Sequence, residues 1–235
     1  MADLATLALK RLASAAAEAR AKSETKDVDA LCEALLSSDA GAGAAYAQRL
    51  LAQGISRDEV IARTLPAAAI ELGRHWDEDA LSLFDVTLAS VRLQGLLRQI
   101  SEGNKAPLTE GASVIVATTP GDDHSFGARV AAERLRAHGW RVTLLMGLSQ
   151  DEIMSRVATA EADAVALSAA GEHAARALEA LITRLRQGRP DLPILVCGQI
   201  VAHCPDAAAV ALADGAAADF NHAEMLLLRL AKADA

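Results

Sequence analysis

Residues 113–127 read SVIVATTPGDDHSFG, and the reading of this stretch decides the fold. Its first part, Ser113 to Thr119, is a short apolar and β-branched run of the kind that forms a strand. Its second part, Pro120 to Gly127, gathers a proline, two glycines, two aspartates and a histidine. Such a composition predicts a loop with chemistry on it. From there to the C-terminus the same kinds of run alternate with helical segments: Arg129 to His138, Arg141 to Met146, Asp151 to Ala160, Ala164 to Ser168, His173 to Arg186, Ile194 to Cys197, Asp206 to Ala213, Ala217 to Phe220, and a last helix to about Lys232. Strand–helix alternation on this scale predicts an α/β fold with a doubly wound, flavodoxin-like, five-stranded parallel sheet in the order 2-1-3-4-5. Sheets of that kind bind ligands beyond the carboxyl ends of their strands, beside strand 1.

Upstream of this stretch the pattern changes. The segment SEGNKAPLTEG at 101–111 is a polar linker, and everything before it is helical. Asp27 is placed to cap a helix through about Ser37, and Gly41 to open a second through Gln53. Ser56 and Glu59 form a capping-box pair for a third helix that reaches toward His75, with Pro66 as an expected kink. A fourth runs from about Ser82 to Ile100, with Leu83, Val86, Leu88, Val91, Leu93, Leu96 and Leu97 as its apolar stripe. The expected organisation is an N-terminal extension at 1–26, a four-helix bundle cap at 27–103 and the sheet domain at 112–235. The extension is read as an extra helix or a mobile segment.

Composition narrows the functional classes. Of 235 residues 54 are alanine and only 3% are aromatic, which suits closely packed helices. The net charge of −8, with no polybasic block, argues against direct capture of nucleic acid or an acidic membrane surface. No apolar run approaches the roughly 20 residues of a membrane-spanning helix, and the N-terminus lacks a signal peptide's apolar core, so the chain reads as cytoplasmic. Cys32, Cys197 and Cys204 form no CxxC pair, and Cys197, ending an apolar run, reads as a buried thiol.

Three uses of the strand ends can be compared. A dinucleotide site wants GxGxxG after strand 1, and this loop has one glycine at each end of an acidic segment. A phosphoacceptor domain would use the acidic pair Asp122 and Asp123, but Ser168 and Asn221 with His222 stand where it needs an aspartate and a lysine. The third use is a corrin ring laid over the strand ends. For it, Asp122 can accept a hydrogen bond from one ring nitrogen of His124 and leave the other for a metal, while Gly127 lets a bulky ligand approach the backbone. Ser168 ends strand 3 and Gly198 ends strand 4, so both lie on the same edge.

These residues resemble a known family. Asp122-x-His124-x-x-Gly127, with forty residues then to Ser168 and twenty-nine more to Gly198, resembles the DxHxxG…SxL…GG signature of cobalamin-binding domains that bind the cofactor base-off and His-on. The resemblance implies that His124 is the lower axial cobalt ligand, that Asp122 orients it, that Gly127 admits the nucleotide tail, and that Ser168 and Gly198 line the tail's tunnel. Ala170 stands where the family usually has leucine or threonine, and Gln199 replaces its second glycine. In the helical half, Leu72-Gly73-x-x-Trp76 resembles the LGxxW element of the cap that such proteins fold over the corrin's upper face. Photoreceptor regulators that use adenosylcobalamin carry Glu-His nine residues after that tryptophan; here the two positions are Val86 and Thr87, which join Trp76 as implied cofactor contacts. The run from Trp76-Asp77-Glu78-Asp79 through Phe84-Asp85-Val86-Thr87 to Arg92-Leu93-Gln94 is similar to the AerR/PpaA group of photosynthesis antirepressors of purple bacteria.

The resemblance implies a non-catalytic, light-responsive transcription regulator that binds adenosyl- or hydroxocobalamin and acts on a DNA-binding repressor protein. Two alternatives share the scaffold: a corrinoid methyl carrier of a methyltransferase system, and a haem-binding redox or gas sensor using His124. His75, His138, His173, His203 and His222 are scattered as surface histidines are, although His75 neighbours Trp76.

Overall fold

The computed structural model describes residues 24–102, 111–122 and 125–231. The chain forms two compact units, Met1–Gly103 and Asn104–Ala235. The expected extension falls largely on residues 1–23, which lie outside the described residues.

The first unit is helical: α1 at 24–36, α2 at Ala42–Ala52, α3 at Arg57–Glu59, a π turn at Val60–Thr64, α4 at Leu65–Asp77 and α5 at Leu83–Glu102. Leu31, Leu35, Ala47, Leu50, Ile61, Leu65, Ala68, Leu72, Leu93, Leu97 and Ile100 are almost wholly buried, so small alanines lie among branched side chains as the composition suggests. Two expectations are corrected. Asp27 does not cap α1, which is already helical at residue 24; its carboxylate instead accepts a hydrogen bond from Tyr46 Oη at 2.9 Å, joining α1 to α2. The apolar stripe of α5 is buried only in its C-terminal half, while Leu83 and Val91 are 66% and 62% exposed. Pro66 falls in the first turn of α4, directly after the π turn, where Leu65 N donates to Val60 O. The wider turn makes room for a ring that has no N–H to give. Ser56 caps α3 as expected, its hydroxyl accepting from Glu59 N at 3.1 Å.

The second unit holds β1 (Ser113–Thr118), α6 (Phe126–Ala137), β2 (Arg141–Leu145), α7 (Gln150–Thr159), β3 (Ala164–Ser168), α8 (Glu172–Gly188), β4 (Ile194–Cys197), α9 (Gln199–His203), α10 (Ala208–Ala211), β5 (Gly215–Ala217) and α11 (Phe220–Leu230). All strands are parallel in the order β2-β1-β3-β4-β5, as the alternation predicts. Side chains alternate across the sheet, so each face builds its own core. Ile115, Val165, Leu167, Ile194 and Val196 pack with α7, α8 and α9, whereas Val114, Val116, Ala166 and Leu195 pack with α6 and α11. This is the doubly wound arrangement. The helix expected over Asp206–Ala213 is only the short α10, the short α9 before it was not expected, and the last strand lies earlier than Ala217–Phe220. Asp214 fixes that strand's register, because its backbone and carboxylate both bond Ile194 across the sheet. Asp219 then caps α11 by accepting from His222 N at 3.0 Å. Among the described residues, no helix is long and apolar enough to cross a membrane.

Candidate functional site

The strand register aligns the carboxyl ends. Thr118 pairs with Ser168, Ser168 with Cys197, and Cys197 with Ala217, so these four form one row across the sheet. The loop carrying Asp122, the residues after Ser168 and the turn at Gly198 all lie just beyond that row. Asp122, Gly127, Ser168 and Gly198, distant in sequence, therefore share one edge. His124 and Asp123 lie outside the described residues.

Asp122 is the chemically unusual member, since its side chain is only 2% exposed. A carboxylate taken out of water is costly unless it is hydrogen-bonded. Here Oδ2 accepts from Ala170 N at 2.7 Å, and Oδ1 lies 3.8 Å from His173 Nε2. The loop after β3 thus clamps the acidic group of the loop after β1. Ala170 acts through its backbone, so its departure from leucine or threonine leaves this bond intact. His173, grouped with the scattered histidines by sequence, is placed beside the candidate site. Nothing local in the sequence signals this, because the contact depends on β3 lying beside β1.

The neighbouring backbone is tightly fixed. Ser168 O accepts from both Thr119 N at 3.0 Å and Thr119 Oγ1 at 3.1 Å. Gly198 has φ 99°, and a Cβ there would lie 2.5 Å from Ala169 O. The ends of β3 and β4 are therefore in backbone contact, with Ala169 N donating to Cys197 O and Ile200 N to Ala169 O. Gly127 is the opposite case: among the described residues, a Cβ at that position meets no atom of a neighbouring element within 4 Å. None of the described residues gives this glycine a steric reason, and they leave the space in front of it open. Burial pushes the Cys197 thiol up to about 12, so it offers no thiolate for a metal. Among the described residues no cluster of three or more His, Cys, Asp or Glu is arranged to hold a metal ion.

In the helical unit, Trp76 lies in the last turn of α4 and is 41% exposed, so it is not bundle core. Val86 is half-buried, and Thr87 is exposed with its hydroxyl donating to Leu83 O at 2.6 Å. His75 is engaged on its own helix, with Nε2 3.1 Å from Glu71 Oε1. Hydrogen bonds from Arg74 hold the Glu71 carboxyl below the usual range, which keeps an anion beside that imidazole. The acidic run Asp77 to Asp79 is an exposed turn at the end of α4.

Comparison with known proteins gives these features a context. Residues 112–227 match the B12 binding domain family. The chain is 29% identical over 114 residues to the "Uncharacterized 20.5 kDa protein in bchF-crtJ intergenic region" of Rhodobacter capsulatus, covering 47% of this chain and 59% of that one. It is 34% identical over 143 residues to the "HTH-type transcriptional repressor CarH" of Myxococcus xanthus, covering 60% of this chain and 46% of the repressor. The chain spans about half the length of the curated relatives it matches. The monomethylamine corrinoid protein of Methanosarcina barkeri has the same fold, with a TM-score of 0.71 at 17% identity, covering 88% of this chain and 99% of that one.

Proposed function

Because residues 112–227 of this chain belong to the B12-binding domain family, we propose that the protein is a cobalamin-dependent, non-catalytic regulator that acts on a DNA-binding repressor. The observation that carries the reading is the buried Asp122 carboxylate, anchored by Ala170 N–H two residues before His124. A fixed anion at that spacing can hold one imidazole nitrogen and so direct the other toward a metal. In this reading His124 would hold the cobalt, Gly127 would leave room for the nucleotide tail, and Ser168 and Gly198 would border it. The open space at Gly127 and the absence of any internal reason for that glycine support the fit of a large cofactor.

Cobalamin, when bound, supplies a cobalt centre whose upper ligand can be exchanged or lost on illumination. The chain's own part would be to hold the cobalt through the His124 imidazole and to offer Trp76, Val86 and Thr87 as further cofactor contacts. Exposure of Trp76 together with Leu83 and Phe84 supports the second role, since these large apolar groups are not absorbed by their own core. A change of upper ligand alters regulation only if the two ligand states favour different conformations, and hence different affinities for the repressor. Such a regulator would work in the cytoplasm beside its partner. The similarity to a transcriptional repressor, over 60% of this chain, supports regulation above methyl carriage.

The test is spectroscopic. Full-length protein given hydroxocobalamin in dim light should acquire a bound-cofactor spectrum, and His124→Ala should change that spectrum and weaken binding at least tenfold, about 1.4 kcal/mol. An unchanged spectrum and affinity would remove His124 from the axial role. A haem Soret band that cobalamin cannot displace would favour the haem sensor, and transfer of a corrinoid-bound methyl group to a thiol would favour the carrier.

A further inference from the structure

The cobalamin reading assigns Asp122 to His124 and leaves His173 without a role, although His173 stands against the same carboxylate. One turn, from the end of β3 into α8, supplies two contacts to Asp122. Ala170 N donates to Oδ2 at 2.7 Å, and His173 Nε2 lies 3.8 Å from Oδ1. The turn is closed by Ala174 N donating to Gly171 O at 3.0 Å and is tied to β4 by Ala169 N donating to Cys197 O. Gly171 puts no side chain beside the ring: a Cβ there would already lie 3.6 Å from His173 Nδ1.

A separation of 3.8 Å is too long for a hydrogen bond, so the interaction of the two side chains is electrostatic. The two ends of the pair differ in their surroundings. The Asp122 side chain is 2% exposed and His173 is 57% exposed, so the imidazole can carry a charge in contact with water while it faces a carboxylate that water does not reach. Glu172, the neighbouring anion on α8, is exposed and solvated. Asp122 also stands two residues before His124. Two imidazoles from different loops are therefore directed at one carboxylate. A carboxylate that holds a metal-ligating imidazole raises its donor strength, and a cation on that carboxylate opposes the effect.

We propose that His173 is a positioning residue for the cobalt ligand, sharing the Asp122 carboxylate with His124 and so loosening the hold of His124 on the metal. The inference rests on the cobalamin reading above and adds a regulation to that site. A charge at position 173 would then set how firmly a residue of another loop holds the cobalt, without itself touching the metal.

Protein carrying isotopically labelled histidine ring nitrogens gives two readouts. In the ligand-free state, the nuclear magnetic resonance signals lost in His173→Gln identify the His173 ring, and Asp122→Asn is expected to shift them. Loaded with cob(II)alamin, the same protein shows by electron paramagnetic resonance what share of the cobalt carries a histidine nitrogen. His173→Gln removes the charge and His173→Lys makes it permanent, and both changes fall on a side chain that is more than half exposed. The nitrogen-bound share is expected to fall in the order His173→Gln, wild type, His173→Lys, with about threefold in affinity between the two variants, the scale of a partly exposed ion pair. In a His124→Ala background the same two substitutions should differ by less than about 1.5-fold, because the effect passes through His124. Equal weakening in both variants would show a merely structural residue and overturn the proposal, as would a difference that survives His124→Ala. Unshifted His173 signals in Asp122→Asn overturn it and leave the cobalamin reading standing. A wild-type chain that binds no cobalamin overturns that reading and this inference with it, whatever the ligand-free signals show.

Discussion

The two glycines of the site meet opposite physical demands. At Gly198 the positive φ and the 2.5 Å approach of a Cβ to Ala169 O mean that only glycine suits the backbone, whatever binds nearby. At Gly127 none of the described residues of neighbouring elements lies within 4 Å of a Cβ, and the residue sits inside α6, where glycine is a poor helix former. Gly198→Ala is therefore expected to destabilise the protein by about 2 kcal/mol or more. Gly127→Ala should be neutral or stabilise by up to about 1 kcal/mol, yet weaken cobalamin binding, because the added methyl takes ligand space. Urea unfolding of the ligand-free protein together with cobalamin titration checks both. Equal stability losses in the two variants would mean that Gly127 also serves the fold. Asp122 differs from both, since its burial follows from a neighbouring loop's N–H and not from its own turn.

At the scale of elements, α5 divides a single sequence motif into two kinds of residue. Leu93 is core, and Arg92 Nη1 donates to Leu35 O at 2.7 Å and Ser37 O at 2.6 Å, satisfying carbonyls at the end of α1. Phe84 is 73% exposed, and Thr87 bonds only within its own helix turn. Arg92→Met should thus cost about 2 kcal/mol, the value of charge-assisted bonds to carbonyls that would be left bare, whereas Phe84→Ser should stay within about 0.5 kcal/mol. Denaturant midpoints at constant m-value decide this; a large loss for Phe84→Ser would place that ring in a core. Strands such as Ala164–Ser168 and Ile194–Cys197 were legible because each is an unbroken apolar run closed by a polar or turn residue. Where neighbours override local preference, legibility stopped. Asp27 has the composition of a cap but bonds Tyr46, and α10 covers only Ala208–Ala211 of a stretch whose alanines suit one longer helix. Among candidate site residues, Asp122, Ser168 and Gly198 could be placed on one edge because each follows a strand. His173 could not, since its contact with Asp122 arises only when β1 and β3 lie side by side.

For the whole molecule, the two tryptophans provide one reporter in each unit. Trp76 is partly exposed in the helical unit, and Trp140 is 5% exposed in the core of the sheet unit. Trp76→Phe leaves only Trp140 to report, and Trp140→Phe leaves only Trp76. A ligand at one hundred times its dissociation constant stabilises the state that binds it by about 2.7 kcal/mol. For a unit of this size that moves its melting temperature by roughly 10 °C, from about 3–5 °C per kcal/mol. Cobalamin is therefore expected to raise the Trp140-reported transition by that order, because the B12-binding domain contains this residue. The Trp76 transition is expected to rise as well, since Trp76 is proposed to contact the cofactor and its unit would then melt with the ligand bound. A Trp76 transition that stays fixed while the Trp140 transition rises would remove the helical unit from the site and leave the sheet unit to bind alone. Regulation would then have to pass through the sheet unit's own surface. The whole chain carries a net charge of −8, so the proposed reading still favours a protein partner over DNA.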